Sequence, residues 1–166
     1  KPLQDCLGCR ACLKLGKCIY DDDVVNELLE KAKLSHGFIF GAPVYYAHPG
    51  GRLLSVLDRL FYAGSKHLSY KPGAAVVSAR RAGTTAALDV INKYFTMNKM
   101  PVVSSQYWNI VHGRTPEEAL QDLEGLQTLR ILGLNMAWLL KSMALAETSG
   151  LRPPEEAGYQ ETNFIR

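Results

Sequence analysis

Three short apolar segments, each followed by a segment of helical spacing, constrain the fold of this chain more than any other feature. The apolar segments are 37–46, 73–79 and 100–108, and the helical segments that follow them are 50–64, 83–97 and 115–147. The length of each apolar run is typical of a strand buried on both faces, as in a parallel sheet. Because right-handed crossovers place helices on both faces of such a sheet, the sequence predicts an α/β fold with a doubly wound parallel sheet.

The capping residues support this division of the chain. A helix is predicted over 21–37, where aspartates suit its positive N-terminal end and Gly37 stops it. Thr115 is a suitable N-cap for the last helix, with Pro116 at its first position and Glu118 completing a capping box. We therefore expect a single domain over 1–166, made of a cysteine-rich loop (1–20), an α/β core (21–146) and a C-terminal tail (147–166).

Charge and hydropathy restrict the partners that we expect. The net charge of +3 is too small to argue for binding to nucleic acid. No apolar run looks long enough to span a membrane, and no signal peptide is visible. We expect a cytoplasmic protein with neither nucleic acid nor membrane as a partner, in a compartment where structural disulfides are rare.

All four cysteines lie within thirteen residues, with the spacing C-x2-C-x2-C-x5-C. They are Cys6, Cys9, Cys12 and Cys18. Overlapping turns with one more distant cysteine supply the four thiolates that a 4Fe–4S cluster needs, and Gly8 and Gly16 permit tight turns around it. Zinc usually takes two separated C-x2-C hooks, but it stays an alternative. The residues also leave open reduced, packed thiols and, last, disulfides.

Three loops follow the carboxyl ends of the predicted strands, which is where α/β sheets bind ligands. They are 42–51, 78–85 and 105–115. In the first, backbone N–H groups with Tyr45 or Tyr46 suit a planar ring, although the tyrosines could equally cover the core. In the second, Arg80, Arg81 and the helix start at Gly83 suit an anionic cofactor or a phosphate-bearing reductant; the alternative is a solvated basic turn.

The remaining polar residues indicate no acid–base machinery. In the third loop we expect a packing role for Trp108 and a surface or capping role for His112. No paired carboxylates, Ser-His-Asp order or P-loop is present, and Asp58 with Arg59 is expected to anchor its helix. The catalytic side chains are therefore unknown at this level.

Taken together, these segments resemble the flavodoxin-like NAD(P)H-dependent FMN reductases, especially their iron–sulfur flavoprotein branch. The resemblance rests on "CLGCRACLKLGKCIYDDD", "FIFGAPVYY", "LLSVLDRLF", "SARRAGTTAALDVINKYF" and the segment 107–141, which together cover nearly the whole chain. It implies that FMN lies along Pro43, Val44, Tyr45 and Tyr46, and that Ser78, Ala79, Arg80 and Gly83 form a second flavin loop. It also implies a 4Fe–4S cluster on Cys6, Cys9, Cys12 and Cys18.

The resemblance implies an FMN-dependent oxidoreductase that takes hydride from NAD(P)H and passes electrons to an unidentified small-molecule or protein acceptor, with the cluster as an optional carrier. The alternatives are a non-enzymatic flavin or iron–sulfur electron carrier and a zinc-stapled interaction module. A homodimer or homotetramer is expected. Members of that family begin with a strand, a phosphate loop, a helix and a second strand ahead of the cysteines. We expect these elements, with the FMN phosphate site, in a segment upstream of Lys1.

Overall fold

The elements alternate largely as the sequence predicts. The computed structural model describes residues 2–155 together with residues 158, 160, 162 and 164. In chain order the elements are α1 Cys12–Leu15, α2 Val25–Leu34, β1 Phe38–Tyr45, β2 His48–Pro49, α3 Gly51–Leu68, β3 Gly73–Ala79, α4 Thr84–Met97, β4 Ile110–His112, α5 Pro116–Ala119 and α6 Leu123–Thr148.

The sheet has the strand order β2-β1-β3-β4. β1 and β3 run parallel, from the pair Phe38 and Gly73 to the pair Pro43 and Ser78. β3 and β4 are also parallel, while the two-residue β2 folds back antiparallel on the end of β1. Within the described part of the chain, the rest of the outer edge of β1 has no partner strand. The predicted α/β fold with a parallel sheet is confirmed.

Helices cover both faces of the sheet. On one face α2, α3 and α4 enclose the larger core, whose fully or almost fully buried side chains include Leu29, Leu57, Leu60, Ile91 and Phe95. On the other face α6 packs Leu132 and Met136 against Ala74 of β3. β3 is therefore covered on both sides, as its continuous apolar run predicts.

The first and third apolar runs differ from their predictions. β1 is covered only on the side that faces the larger core, since Ile39 on the opposite face is 53% exposed. The run 100–108 contributes only an isolated bridge at Val102, and the regular strand is β4. Residues 103–109 have no regular secondary structure, and α6 holds this irregular segment in place: Asn135 donates to the Ser104 carbonyl at 2.8 Å, and the Ser105 hydroxyl donates to the Thr128 carbonyl at 2.6 Å.

The long closing helix predicted over 115–147 is in fact two helices. Thr115 caps α5 by accepting from the Glu118 N–H, as predicted. The predicted capping box is not completed, because the Glu118 carboxylate accepts from the backbone N–H of Arg114 and not from that of Thr115. Asp122 caps α6 by accepting from the Gly125 N–H at 2.9 Å, and this second cap explains the break. α6 also includes the first two residues of the predicted tail; tail positions 156, 157, 159, 161, 163, 165 and 166 lie outside the described residues.

α6 bears on the expectation that no segment could span a membrane. By length and composition alone this helix of 26 residues is long and apolar enough to cross one, and little of it is buried. Core helices of soluble proteins pass the same test, so the evidence is weak. Large side chains on its exposed side include Leu134, Trp138 and Leu145. The absence of a membrane partner stays a prediction.

Gly73, at the start of β3, is expected to tolerate no side chain. A Cβ there would lie 2.5 Å from Cδ1 of Phe95, which is fully buried and stacks on Phe40 with ring centroids 5.6 Å apart. Gly73→Ala should therefore lower the free energy of unfolding by about 1–3 kcal/mol, measured by urea denaturation. The control is Gly133→Ala in α6, where a Cβ meets nothing within 4 Å and should stabilise by about 0.5–1 kcal/mol. Equal stability of the two variants would contradict this packing.

Candidate functional site

The loops that follow β1 and β3 leave the sheet side by side. Pro43 and Ser78 are register partners in the parallel ladder, so both loops begin at the same edge. They also touch beyond the sheet, because a Cβ on Gly83 would lie 2.9 Å from Cγ1 of Val44 and 3.1 Å from Cα of Ala47. The structure thus brings together the residues that the sequence assigned to two flavin loops, and only glycine fits at their contact.

The first loop is a tight two-residue turn between β1 and β2. Tyr45 pairs with His48, and the two residues between them have positive φ, 44° for Tyr46 and 71° for Ala47. Positive φ at both central positions is the pattern of a type I′ turn, and for residues other than glycine it costs about 1–2 kcal/mol each. Strain of this kind is often found where a loop must present itself to a ligand.

The tyrosine side chains of this loop do not cover the core. Tyr45 is 66% exposed and Tyr46 is fully exposed, so the alternative in which they pack inward is wrong. The Tyr45 ring lies against the start of α3, since a Cβ on Gly50 would be 3.3 Å from its Cδ2. Both rings are available to lie against a planar ligand.

The second loop combines positive side chains with a helix start. Ser78, Arg80 and Arg81 are exposed, while Ala79 is buried. Gly83, with φ of 86°, is the N-cap of α4, and no side chain caps this end of the helix. The first N–H groups of α4 are therefore left without a side-chain acceptor, beside two arginines, an arrangement that suits an anionic group.

Only the second half of the third predicted loop lies at this edge, because His112 at the end of β4 pairs with Ala79 in the parallel ladder. Trp108 and Asn109 precede β4, so they lie before the strand and not at its carboxyl end. Asn109 is buried and donates to the Ala75 carbonyl at 3.0 Å, whereas Trp108, expected to pack, is 55% exposed. His112 ends β4 and donates its N–H to Asp122 at 2.7 Å. Hydrogen bonds from this N–H and from that of Gly125 lower the pKa of Asp122, which acts as a helix cap.

The four cysteines line one small cavity of about 20 Å³, beside Arg59 and Tyr62. Cys18 is buried, Cys9 is exposed, and Cys6 and Cys12 are half-buried. Burial raises the pKa of the Cys12 thiol. All four are free thiols, which argues against disulfides in this segment.

Turns at Gly8 and Gly16 build this segment. Both glycines have positive φ, 63° and 67°, and the Gly16 N–H donates to the Cys12 carbonyl at 2.9 Å to end α1. The donor set, thiols alone, fits an iron–sulfur cluster or zinc. Within the described residues, however, no three Cys, His, Asp or Glu side chains surround a common metal position. Holding a metal group would therefore require the thiols to move together.

Arg59 of α3 joins the cysteine segment to the core, a role that the sequence did not predict. Its side chain is 1% exposed and pairs with Asp23, which accepts from Nη2 at 3.0 Å and also from Nη1. Its Nε donates to Sγ of Cys18 at 3.2 Å, and its Nη1 donates to the Gln4 carbonyl at 3.1 Å. Arg59 thus anchors the cysteine segment, not merely its own helix.

Asp58 was expected, with Arg59, to anchor its helix. It connects α3 to α4, because it accepts from the Tyr94 hydroxyl of α4 at 2.5 Å. Burial, and then this hydrogen bond, raise the pKa of Tyr94 well above its usual range.

The sequence did not predict a role for Asn26 of α2 either. Its side chain accepts from the N–H of Cys18 at 2.9 Å and donates to the Cys18 carbonyl at 3.0 Å. The signal that could have revealed the pair of Arg59 and Asp23 was Arg59 itself: it lies three residues after Val56 and four before Ala63, on an apolar face of its helix, and a buried arginine needs a carboxylate partner.

The ion pair favours the charged form of both of its members. The hydrogen bond from Arg59 holds the pKa of Asp23 below its usual value, against the opposing effect of burial. Burial alone would lower the pKa of Arg59, but its hydrogen bonds to Asp23 and Cys18 outweigh burial and raise the pKa. Both groups are therefore charged over the physiological pH range.

The fold and the paired loops define an α/β protein of the flavodoxin-like class. A flavodoxin from the domain Archaea superposes on the chain with a TM-score of 0.50 and 20% identity, covering 68% of this chain and 71% of that one. The family model for NADPH-dependent FMN reductase matches residues 3–115, and the chain belongs to that family of flavoprotein oxidoreductases.

Two relatives extend the similarity over most of the chain. An iron–sulfur flavoprotein of Methanocaldococcus jannaschii is 33% identical over 149 residues, which are 85% of this chain and 77% of the relative. A second iron–sulfur flavoprotein of the same organism is 31% identical over 145 residues, with coverages of 78% and 72%. The resemblance drawn from the sequence motifs is confirmed.

The buried pair predicts a specific loss of stability in acid. Because the pKa of Asp23 is lowered by folding, its contribution is fully present above pH 5 and is lost as the pH falls below about 4. Asp23→Asn leaves Arg59 without its carboxylate, so it should cost on the order of 3 kcal/mol at pH 7 and weaken the acid dependence. Urea denaturation at pH 7 and pH 3.5 measures both effects. The matched control is Asp22→Asn, at an exposed position; an equal loss in this control would contradict the role of the pair.

Proposed function

We propose that this chain is an FMN-dependent oxidoreductase that takes hydride from NAD(P)H and delivers electrons to a small-molecule or protein acceptor, with a 4Fe–4S cluster on Cys6, Cys9, Cys12 and Cys18. The observation that carries the proposal is the contact between the two loops at Gly83, in a chain that the FMN reductase family model matches. The flavin, when bound, supplies hydride acceptance and the division of two electrons into single ones.

The chain's own residues would bind and orient this flavin. Tyr45 and Tyr46 would lie beside the isoalloxazine ring, and backbone groups at Pro43 and Val44 would meet its polar edge. Across the gap, Ser78 and Ala79 continue the wall, and Arg80 with the uncapped N-terminus of α4 would favour the electron-rich side of the ring or a phosphate.

A cluster at the cysteine cavity is supported by three observations. The four thiols line one cavity, the positive Arg59 lies against Cys18, and the two relatives described above are iron–sulfur flavoproteins. Position supports it as well: α3 begins beside the flavin loops at Gly51, and Arg59 follows about 12 Å along the helix axis. The same helix would therefore carry one wall of each site.

The assembly and location of the protein are also proposals. The exposed apolar side of α6, with Leu134, Trp138 and Leu145, supports association into a homodimer or homotetramer. A cytoplasmic location suits free thiols and the nicotinamide reductant.

The visible spectrum of the purified protein, reconstituted anaerobically with FMN, iron and sulfide, tests the proposal. We expect FMN to remain bound through gel filtration, with four iron and four sulfide per chain, as a 4Fe–4S cluster requires. NAD(P)H consumption under air should then require the flavin. A flavin-loaded protein that consumes no NAD(P)H would indicate an electron carrier, and a colourless protein containing zinc would indicate an interaction module; both would contradict the proposed activity.

A matched pair of tyrosines tests the location of the flavin. Tyr46→Ala removes an exposed ring from the first loop and should weaken FMN binding about 3- to 10-fold, the effect of losing one aromatic stacking contact. Tyr107→Ala removes another exposed ring, 60% exposed, outside both loops and should leave the dissociation constant unchanged. Quenching of flavin fluorescence measures both constants. Equal affinities in the two variants would contradict the assignment of the first loop.

A further inference from the structure

The cysteine cavity has a feature that cluster binding does not by itself require: a buried guanidinium directed at one sulfur. The hydrogen bond from Nε of Arg59 to Sγ of Cys18 spans 3.2 Å and 41 positions of sequence. Cys18 is the only one of the four cysteines that is buried. The hydrogen bond is therefore shielded from water and gains strength from the low local dielectric.

The orientation of this guanidinium is fixed on its other sides. Asp23 binds both terminal nitrogens, the Gln4 carbonyl accepts from Nη1 at 3.1 Å, and the Tyr20 carbonyl accepts from Nη2 at 3.4 Å. The Tyr20 ring lies 5.1 Å from the guanidinium carbon. With these partners in place, the Nε–H group has the sulfur as its acceptor and cannot turn away from it.

Stability alone is a weak explanation for this arrangement. A buried ion pair is often no more stabilising than apolar residues of similar volume. Apolar residues could hold α3 against the cysteine segment, but they could not donate a hydrogen bond to sulfur. What the arginine adds is a fixed donor and a positive charge beside one of the four thiols.

We propose that Arg59, positioned by Asp23, sets the reduction potential of the iron–sulfur cluster through its hydrogen bond to Cys18; this inference rests on the cluster of the proposed function. Reduction of a cluster adds one electron and thus one negative charge, here supplied by the reduced flavin. A donor or cation beside a ligating sulfur stabilises the reduced form more than the oxidised form and raises the potential. Arg59 is a positioning residue in this scheme, since it acts through Cys18.

The variants are chosen to separate the hydrogen bond from the charge and from stability. Arg59→Lys keeps a cation next to Asp23 but lacks the Nε–H donor. Arg59→Met combined with Asp23→Leu removes both charges, so that no buried charge is left unpaired. Arg10→Met is the matched control, because Arg10 lines the same cavity with an exposed side chain and its charge is screened by water.

The measurement is the midpoint potential of the cluster, obtained by anaerobic redox titration followed by electron paramagnetic resonance, on the full chain reconstituted with FMN, iron and sulfide. We expect the potential to fall in both Arg59 variants by at least the equivalent of a tenfold change in the ratio of reduced to oxidised cluster, about 59 mV for one electron. Arg10→Met should shift it less. Where the double variant does not fold, Arg59→Lys decides.

The outcomes distinguish this inference from the proposed function. Wild-type protein that takes up no iron and sulfide would overturn the cluster, and the Arg59 inference with it. Wild-type protein with a cluster, beside Arg59→Lys with the same iron content and an unchanged potential, would overturn the inference and leave the cluster standing. A shift in Arg10→Met as large as in Arg59→Lys would also overturn it, because the buried hydrogen bond would then have no special effect.

Discussion

The parallel pairing of β1 with β3 is the constraint on which the rest of the structure depends. Its register sets Pro43 beside Ser78, so the two loops at this edge must leave the sheet together. Where they meet, position 83 has no room for a side chain, since Val44 and Ala47 already fill the space. The strained turn at Tyr46 and Ala47 is tolerated because β2 closes it against β1. The contact between the two loops proposed to hold the flavin thus follows from the pairing of two strands.

α3 extends this arrangement to the cysteines. The helix starts immediately after the first loop, and one of its buried positions carries Arg59, which reaches the segment before α2. Asn26 holds the backbone of Cys18 from the other side. In the cysteine segment Leu7, Leu13 and Leu15 are exposed, and α1 contains no buried residue. Its position therefore depends largely on the polar contacts of Arg59 and Asn26.

The sequence predicts the elements whose character is local and misses those that depend on distant contacts. β3 matches its predicted range 73–79, because both faces of the strand are buried and its run of apolar residues is unbroken. β4 lies outside the predicted range 100–108 because α6, far along the chain, holds the irregular segment before it through Asn135. The strand ends predict that the two loops leave the same edge of the sheet, and the register of β1 and β3 confirms this; their role in holding flavin stays a prediction that the family resemblance implies. The partnership of Arg59, Asp23 and Cys18 could not, since no local pattern reports a pair separated by 36 positions.

The most direct test of the central claim is a crystal structure of the full chain with FMN bound. The claim predicts electron density for the isoalloxazine ring at the carboxyl edge of the sheet, between residues 43–46 and residues 78–83, with a tyrosine of the first loop beside the ring. Density for the flavin at any other part of the surface would contradict it. So would a ring at this edge that touches only one of the two loops.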